Sequence, residues 1–424
     1  MERSVIRNWG GFRTHYCVKS SVKYHFDKVQ NFLGFALGNA REGEMTKVLC
    51  HAKLTSDDPR FHTYINHISD AFLATTRIPI DSVHHLLVLI HNDLSADLYV
   101  NDFSIAFKMK AKRSFSVGEA ILQRDIIDIG EFEFPGIKIV NTDKIIFCFK
   151  VGWRFGLFFE TCNRHPFRVG GQSIQGELLD VKKAMLSIGE LYRELSFYHL
   201  YKVLEGEVNF NEIMKDGWFP FIEILDEFRD LIEAYKDRFD FDKKISRFVD
   251  KFDKNRISLV TNKWWQNPVF HDKKPLIEAG ITSYNLNTDE GFINCIKNLS
   301  SELEGVLRLQ YFQDGGKGDG VKVPELIAFI IEKGKQHTVS ESSLYFPQYF
   351  LNYLRDIVFA GFNIESGDVY LSRHSSSHGV AEPNKYTRDK ALQFLLALDQ
   401  IYYYSSANSS SPQPLSPLEL GDSK

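Results

Sequence analysis

The sharpest chemistry in the chain lies in Leu371-Ser-Arg-His-Ser-Ser-Ser-His-Gly379, where Arg373 and His378 stand five residues apart. An imidazole, with an ordinary pKa of ~6.5, takes or gives a proton near neutral pH. A guanidinium holds phosphate through two parallel hydrogen bonds and stays charged. The pair therefore suits phosphodiester chemistry. The three serines between them are small and polar and are expected to leave room for a substrate, with Ser375 as a contact and His374 as a support or phosphate contact. Spacing alone is not specific. Arg60 and His67, Arg77 and His84, and Arg193 and His199 fit the same loose pattern and read as incidental or structural. On an ideal helix, residues five apart point about 140° from one another. Arg373 and His378 converge only if the helix begins, bends or ends near Gly379, or if a second chain supplies the other half. A P-loop, a dinucleotide-binding glycine motif, His-Glu-x-x-His, Gly-x-Ser-x-Gly and zinc-ligand spacings are all absent, which argues against P-loop hydrolysis and zinc catalysis. No metal or cofactor is expected.

The elements that position these residues follow from periodicity. His84–His91 is an apolar run of strand length. Asp102–Lys112 alternates, with Phe103, Ile105, Phe107 and Met109 on one face, as in a half-buried strand. Ile145–Val151 and Phe155–Phe159 flank Gly152-Trp-Arg154 and read as a hairpin, and Phe134-Pro-Gly136 as a turn. Phe61–Thr75 fits a helix. Near Gly170-Gly171 the period becomes helical. Val181, Met185, Ile188, Leu191, Leu195, Tyr198 and Tyr201 predict one long helix to about Leu204. Gly217-Trp-Phe-Pro220 breaks the next segment. Shorter helices follow at Ile222–Tyr235, Lys243–Phe252 and Lys274–Tyr284. Asp289–Phe312 is a strong helix whose stripe is Phe292, Leu299, Leu303, Val306 and Leu307. Asp314–Gly320 reads as a flexible loop. Pro324–Lys333, Phe346–Phe359 and Thr387–Tyr404 complete the helices, with Thr387 as N-cap of the last. The fold class is α+β: a β-rich domain over 1–176, a helical connecting region over 177–288, a helical bundle over 289–405 and a disordered tail over 406–424.

Three pieces of this helical part carry a family resemblance: Leu303-Glu-Gly-Val306 inside a long striped helix; Phe350-Leu-Asn-Tyr-Leu-Arg-Asp-Ile-Val-Phe359 ahead of the motif; and Arg373–Gly379 followed by Lys390–Asp399 as a closing helix. In that order they resemble the HEPN (higher eukaryotes and prokaryotes nucleotide-binding) superfamily, and more closely the HEPN domains of bacterial abortive-infection and phage-defence proteins. The resemblance implies an Arg-x4-6-His motif, a metal-independent endoribonuclease that leaves 2′,3′-cyclic phosphate ends, and a defence toxin. It implies Arg373 and His378 as catalytic residues and Glu304 as the carboxylate that orients one of them. RNA is then the substrate, and a homodimer through the C-terminal helices completes the site; an antitoxin or trigger is not named by the sequence. A subgroup of HEPN toxins places a tyrosine two residues after the histidine, where this chain has Val380. The other readings are a non-catalytic RNA- or protein-binding module and a dimerisation adaptor. Glu304 also fits a glutamate in solvent at the edge of the stripe.

Composition frames these readings. A net charge of -4 excludes a global positive field, so nucleic-acid contact must be local. Lys108, Lys110, Lys112 and Arg113 form a basic strand face that suits a guarded sheet edge better than an RNA track. Trp218, Trp264 and Trp265 suit packing better than base stacking. His84 and His85 read as structural. Five cysteines without a Cys-x-x-Cys pair read as reduced thiols. With no signal-peptide pattern and no apolar run near the ~20 residues of a membrane span, a cytoplasmic protein without membrane contact is expected.

Overall fold

The computed structural model describes residues 51–160 and 178–406, apart from 77, 79, 94, 207–209, 367 and 368, with the short strands Lys23–His25, Phe35–Ala36, Val48–Leu49, Arg168–Val169 and Gln172–Ser173 outside those spans. The expected disorder of the tail and the Gly170-Gly171 boundary fall outside the described residues. The chain is α+β, with strands in its N-terminal half and helices in its C-terminal half. It forms two compact units: Met1–Ser114 with Asp128–Tyr198, and Phe115–Ile127 with His199–Lys424.

The first unit holds a six-stranded antiparallel sheet. Its strands are β1 (Lys23–His25), β2 (His51–Thr55), β3 (His85–Ile90), β4 (Ser95–Val100), β7 (Lys144–Val151) and β8 (Arg154–Glu160), ordered β1-β4-β3-β7-β8-β2; β5 (Ala106–Ala111) and β6 (Ile126–Glu133) pair separately. Alternation sends successive side chains to opposite faces. Leu86, Val88 and Ile90 pack with Phe61, Tyr64 and Ile68 of helix α1 (Pro59–Thr76). Leu87 and Leu89 join Phe132, Phe147 and Phe149 and the inner face of helix α2 (Val181–Ser196). Both faces are buried, which is why the run 86–90 is apolar throughout rather than alternating. The hairpin β7–β8 pairs Arg154 with Val151, and Gly152 at its tip takes φ +62, a left-handed conformation that glycine adopts without strain. The alternating segment from Asp102 is strand only from Ala106.

Helix α2 corrects the expected domain boundary. Ile188, Leu191 and Leu195 complete the core of the sheet unit, so the division falls after Tyr198 and not at 176. The expected single helix to Leu204 is two, α2 and α3 (Tyr198–Leu204), interrupted at the fully buried Phe197. The segments 199–288 and 289–405, expected as separate regions, belong to one unit.

That unit contains α4 (Phe210–Lys215), α5 (Phe228–Lys236), α6 (Phe241–Asp250), α7 (Lys254–Asn262), α8 (Pro268–Asp272), α9 (Lys274–Asn285), α10 (Asp289–Gln313), α11 (Val323–Gln336), α12 (Pro347–Tyr353), α13 (Arg373–Ser377) and α14 (Arg388–Ser405). The expected helix 346–359 ends as an α-helix at Tyr353 and widens into a π turn over Leu354–Val358. Helix α14 is buried on every side from Ala391 to Ser405 and packs against α10, α11 and α6. Two of its buried polar residues are engaged by neighbouring elements. Asp399 accepts from Trp264 Nε1 at 2.7 Å and pairs with Lys263 at 2.8 Å, and Gln400 accepts the Ile222 amide at 2.9 Å. Burial raises the Asp399 carboxyl pKa, with Lys263 opposing it. Trp218 and Trp264 are core residues. Among the described residues no helix is long and apolar enough to cross a membrane.

Candidate functional site

Helix α10 supplies one wall of the site. Thr288 caps it by accepting from the Gly291 amide, and Asp289 and Glu290 favour its positive N-terminal end. Its apolar stripe anchors it in the core, which leaves Ser300 and Glu304 on a flank that faces α13. Ser300 meets Ser376 at 3.5 Å and Glu304 meets Arg373 at 2.7 Å. The two helices therefore run antiparallel along this flank.

Helix α13 is five residues long, too short to stand alone. Two serines hold it. Ser372 Oγ accepts from the Ser375 amide at 3.2 Å, and Ser375 Oγ accepts from the Ser372 amide at 2.8 Å, a reciprocal capping box. Each hydroxyl also donates to a carbonyl, Ser372 to Ala360 and Ser375 to Tyr370, at 2.8 and 2.7 Å. The helix ends as abruptly as it begins: His378 is its C-cap, Gly379 takes φ +70, and the Val380 amide returns to the Ser375 carbonyl at 3.0 Å. Arg373 and His378 thus mark the two ends of one short helical segment.

This geometry corrects the reading of the serines. Ser375 is fully buried and its hydroxyl is fully engaged, so it latches the helix and does not contact a substrate; Ser376 is buried as well, and the serines do not open a space.

Glu304 is not a solvated edge residue: it is 8% exposed and shared by two guanidiniums. Arg308 donates a hydrogen bond from Nε to Oε1 (2.8 Å), brings Nη2 within 2.7 Å of the same oxygen, and donates a second hydrogen bond from Nη1 to the Val321 carbonyl at 2.8 Å. Arg373 Nη2 lies 2.7 Å from Oε2, close enough for an ion pair but out of line for a hydrogen bond, and among the described residues Oε2 has no hydrogen-bond donor. Arg373 Nε is buried and has no acceptor among the described residues. Arg373 Nη1 faces Nδ1 of His374 at 3.3 Å, which casts that nitrogen as the acceptor. Burial, then the charges of Arg373 and His378, lower the His374 pKa against the pull of Glu304. His374 thus lies against the guanidinium of Arg373. His378 is exposed, with Phe362 beside its ring at 5.6 Å.

No protein-family model, curated protein or solved structure matches this chain. The site must be judged on its own chemistry. It offers one exposed imidazole, one guanidinium with a buried unmet donor, and a carboxylate that holds the guanidinium from behind. A separate cleft of about 460 Å³, lined among others by Asp216, Tyr235, Phe241 and Lys390, contains neither Arg373 nor His378. Among the described residues no group of His, Cys, Asp or Glu has metal-binding geometry.

Sequence reasoning missed Arg308, Ser372 and Phe362. Arg308 stands four residues after Glu304, a helical ion-pair spacing, and Ser372 precedes the first helical residue with a serine three positions on. Both signals were in the sequence. Nothing local marks Phe362.

Proposed function

We propose that the chain is a metal-independent endoribonuclease of HEPN type, acting in a defence or abortive-infection setting as a toxin. The observation that carries this reading is the half-buried Arg373 guanidinium, met only end-on by Glu304, on the short helix that ends at the exposed His378. The partly exposed Arg373 side chain leaves donors that a phosphate oxygen would meet with charge-assisted hydrogen bonds. The substrate 2′-hydroxyl attacks the adjacent phosphorus. An imidazole takes its proton, Arg373 stabilises the charge that builds on the phosphorane oxygens, and the leaving 5′-oxygen receives a proton from a second acid. The products are a 2′,3′-cyclic phosphate and a 5′-hydroxyl.

One chain offers a single exposed imidazole here, and the reaction needs a base and an acid. A symmetric homodimer through the C-terminal helices would supply both from two copies of His378. The exposure of His378 favours this arrangement over a closed pocket. The test compares RNA from cells expressing wild type or His378→Ala. New ends bearing cyclic phosphate are expected with wild type alone. Their absence with wild type, in protein shown to bind RNA, would favour the non-catalytic binding module.

A further inference from the structure

We infer that Arg308 is a positioning residue of this site: by occupying one oxygen of Glu304 it keeps Arg373 partly unpaired and free to take phosphate. The inference rests on the ribonuclease reading. A lone guanidinium and carboxylate close into a neutral pair with two parallel hydrogen bonds. That closure does not occur here. Arg308 holds Oε1 with two of its own nitrogens, so Oε2 alone faces Arg373, end-on. Two guanidiniums sharing one carboxylate leave the cluster with one net positive charge, which an arriving phosphate neutralises. Arg308 is itself fixed by the Val321 carbonyl. Val321 is buried and follows directly on the loop Asp314–Gly320, whose Gly315 and Gly320 have positive φ. The glycine-rich loop thus has a role: it turns the chain so that a carbonyl meets Arg308. Without Arg308, Glu304 can turn both oxygens to Arg373, and the phosphate must compete with a carboxylate for the same donors.

The test uses the full chain and a single-stranded RNA oligonucleotide, with melting curves to confirm folding. Arg308→Met should raise KM roughly tenfold, the order expected for one lost charge at a partly exposed site, and leave kcat within about threefold. Adding Glu304→Gln to Arg308→Met removes the competing carboxylate and should bring KM back to within about threefold of wild type. An Arg308 that touched RNA itself would not be rescued in this way, and one that only supported the fold would show its loss in the melting curves. Arg308→Met with wild-type KM, or a double variant no better than the single, overturns the inference. Should Arg308→Met fail to fold, the double variant, which buries no lone carboxylate, carries the test by the same threefold criterion. Wild-type protein that cleaves no RNA overturns the ribonuclease reading and this inference together, whereas cleavage by wild type with Arg308→Met unaltered overturns this inference alone.

Discussion

Replacing Ser372 by alanine should release the functional segment without unfolding the protein. The hydroxyl makes two contacts: it accepts the Ser375 amide and donates to the Ala360 carbonyl. Loss of a cap costs ~1 kcal/mol, and loss of a side-chain hydrogen bond another ~1 kcal/mol, giving about 2 kcal/mol in all. Helix α13 has five residues and no amphipathic length to absorb that loss. The opening equilibrium of the segment should therefore rise roughly thirtyfold. Hydrogen exchange resolved by peptide reads this directly. Amides of 373–380 should exchange roughly thirtyfold faster, while those of α10 keep wild-type protection. Cleavage of RNA should fall with the fraction of time the segment is open and with the looser placement of Arg373. Unchanged exchange over 373–380 would refute the latch. Equal acceleration in α10 would show that the serines support the whole unit and not the motif.

Three further outcomes follow from the packing. Burial pushes the His199 pKa down to about 4, although its Nε2 contact with the Leu225 carbonyl at 2.9 Å favours the charged form. A depressed histidine stabilises the fold above its unfolded value of ~6.5 and loses that contribution as pH falls towards 4, so wild type should lose about 3 kcal/mol relative to His199→Gln between pH 7 and pH 4 by urea titration; parallel curves would contradict it. In the sheet unit, a Cβ at Gly189 would lie 1.8 Å from the Gly130 carbonyl oxygen. Gly189→Ala should cost about 2 kcal/mol by denaturant titration, an overpacking loss of ~3 kcal/mol less ~1 kcal/mol of helix propensity; a gain in stability would mean that helix and strand can part freely. Asp399→Ala strands Lys263 and the Trp264 indole N–H and should destabilise the helical unit by about 3 kcal/mol in the same measurement, with no loss at all counting against the network.

What the sequence disclosed depended on whether a residue's partner lay nearby in the chain. The helix at 289–313 and the hairpin at 144–160 were legible because a stripe and a turn are local signals. Strand β6 was missed: Asp128, Glu131 and Glu133 break its apolar pattern. Asp128 is nonetheless buried, because Arg193 lies 3.5 Å away on α2. That partner is 65 residues distant in sequence, and no window of periodicity contains it. The break at Phe197 is of the same kind, set by burial in the folded chain and not by a helix-stopping residue. At the site, the residue types of Arg373 and His378 announced their chemistry, and Glu304 was singled out as a partner for one of them. Their arrangement was not legible. Serines read as space for a substrate are a cap, because a serine's preference for solvent or for backbone is decided by what the chain folds over it.

The burial of helix α14 on every side fixes when the site can form during synthesis. Helix α10, which carries Glu304 and Arg308, packs against α9 and against α14, and the side that meets α14 stays uncovered until that helix arrives. Some ninety residues separate Gln313 from Ser405, a delay of roughly 5–20 s at ordinary translation rates. Through that interval Glu304 and Arg308 ride on a helix whose packing is only partly complete. A chain stalled on the ribosome before Arg388 should be cut by protease within α10, and one stalled well beyond Ser406 should resist. Placing helix α14 after the residues of the candidate site thus keeps that site unfinished while the chain is still attached to the ribosome.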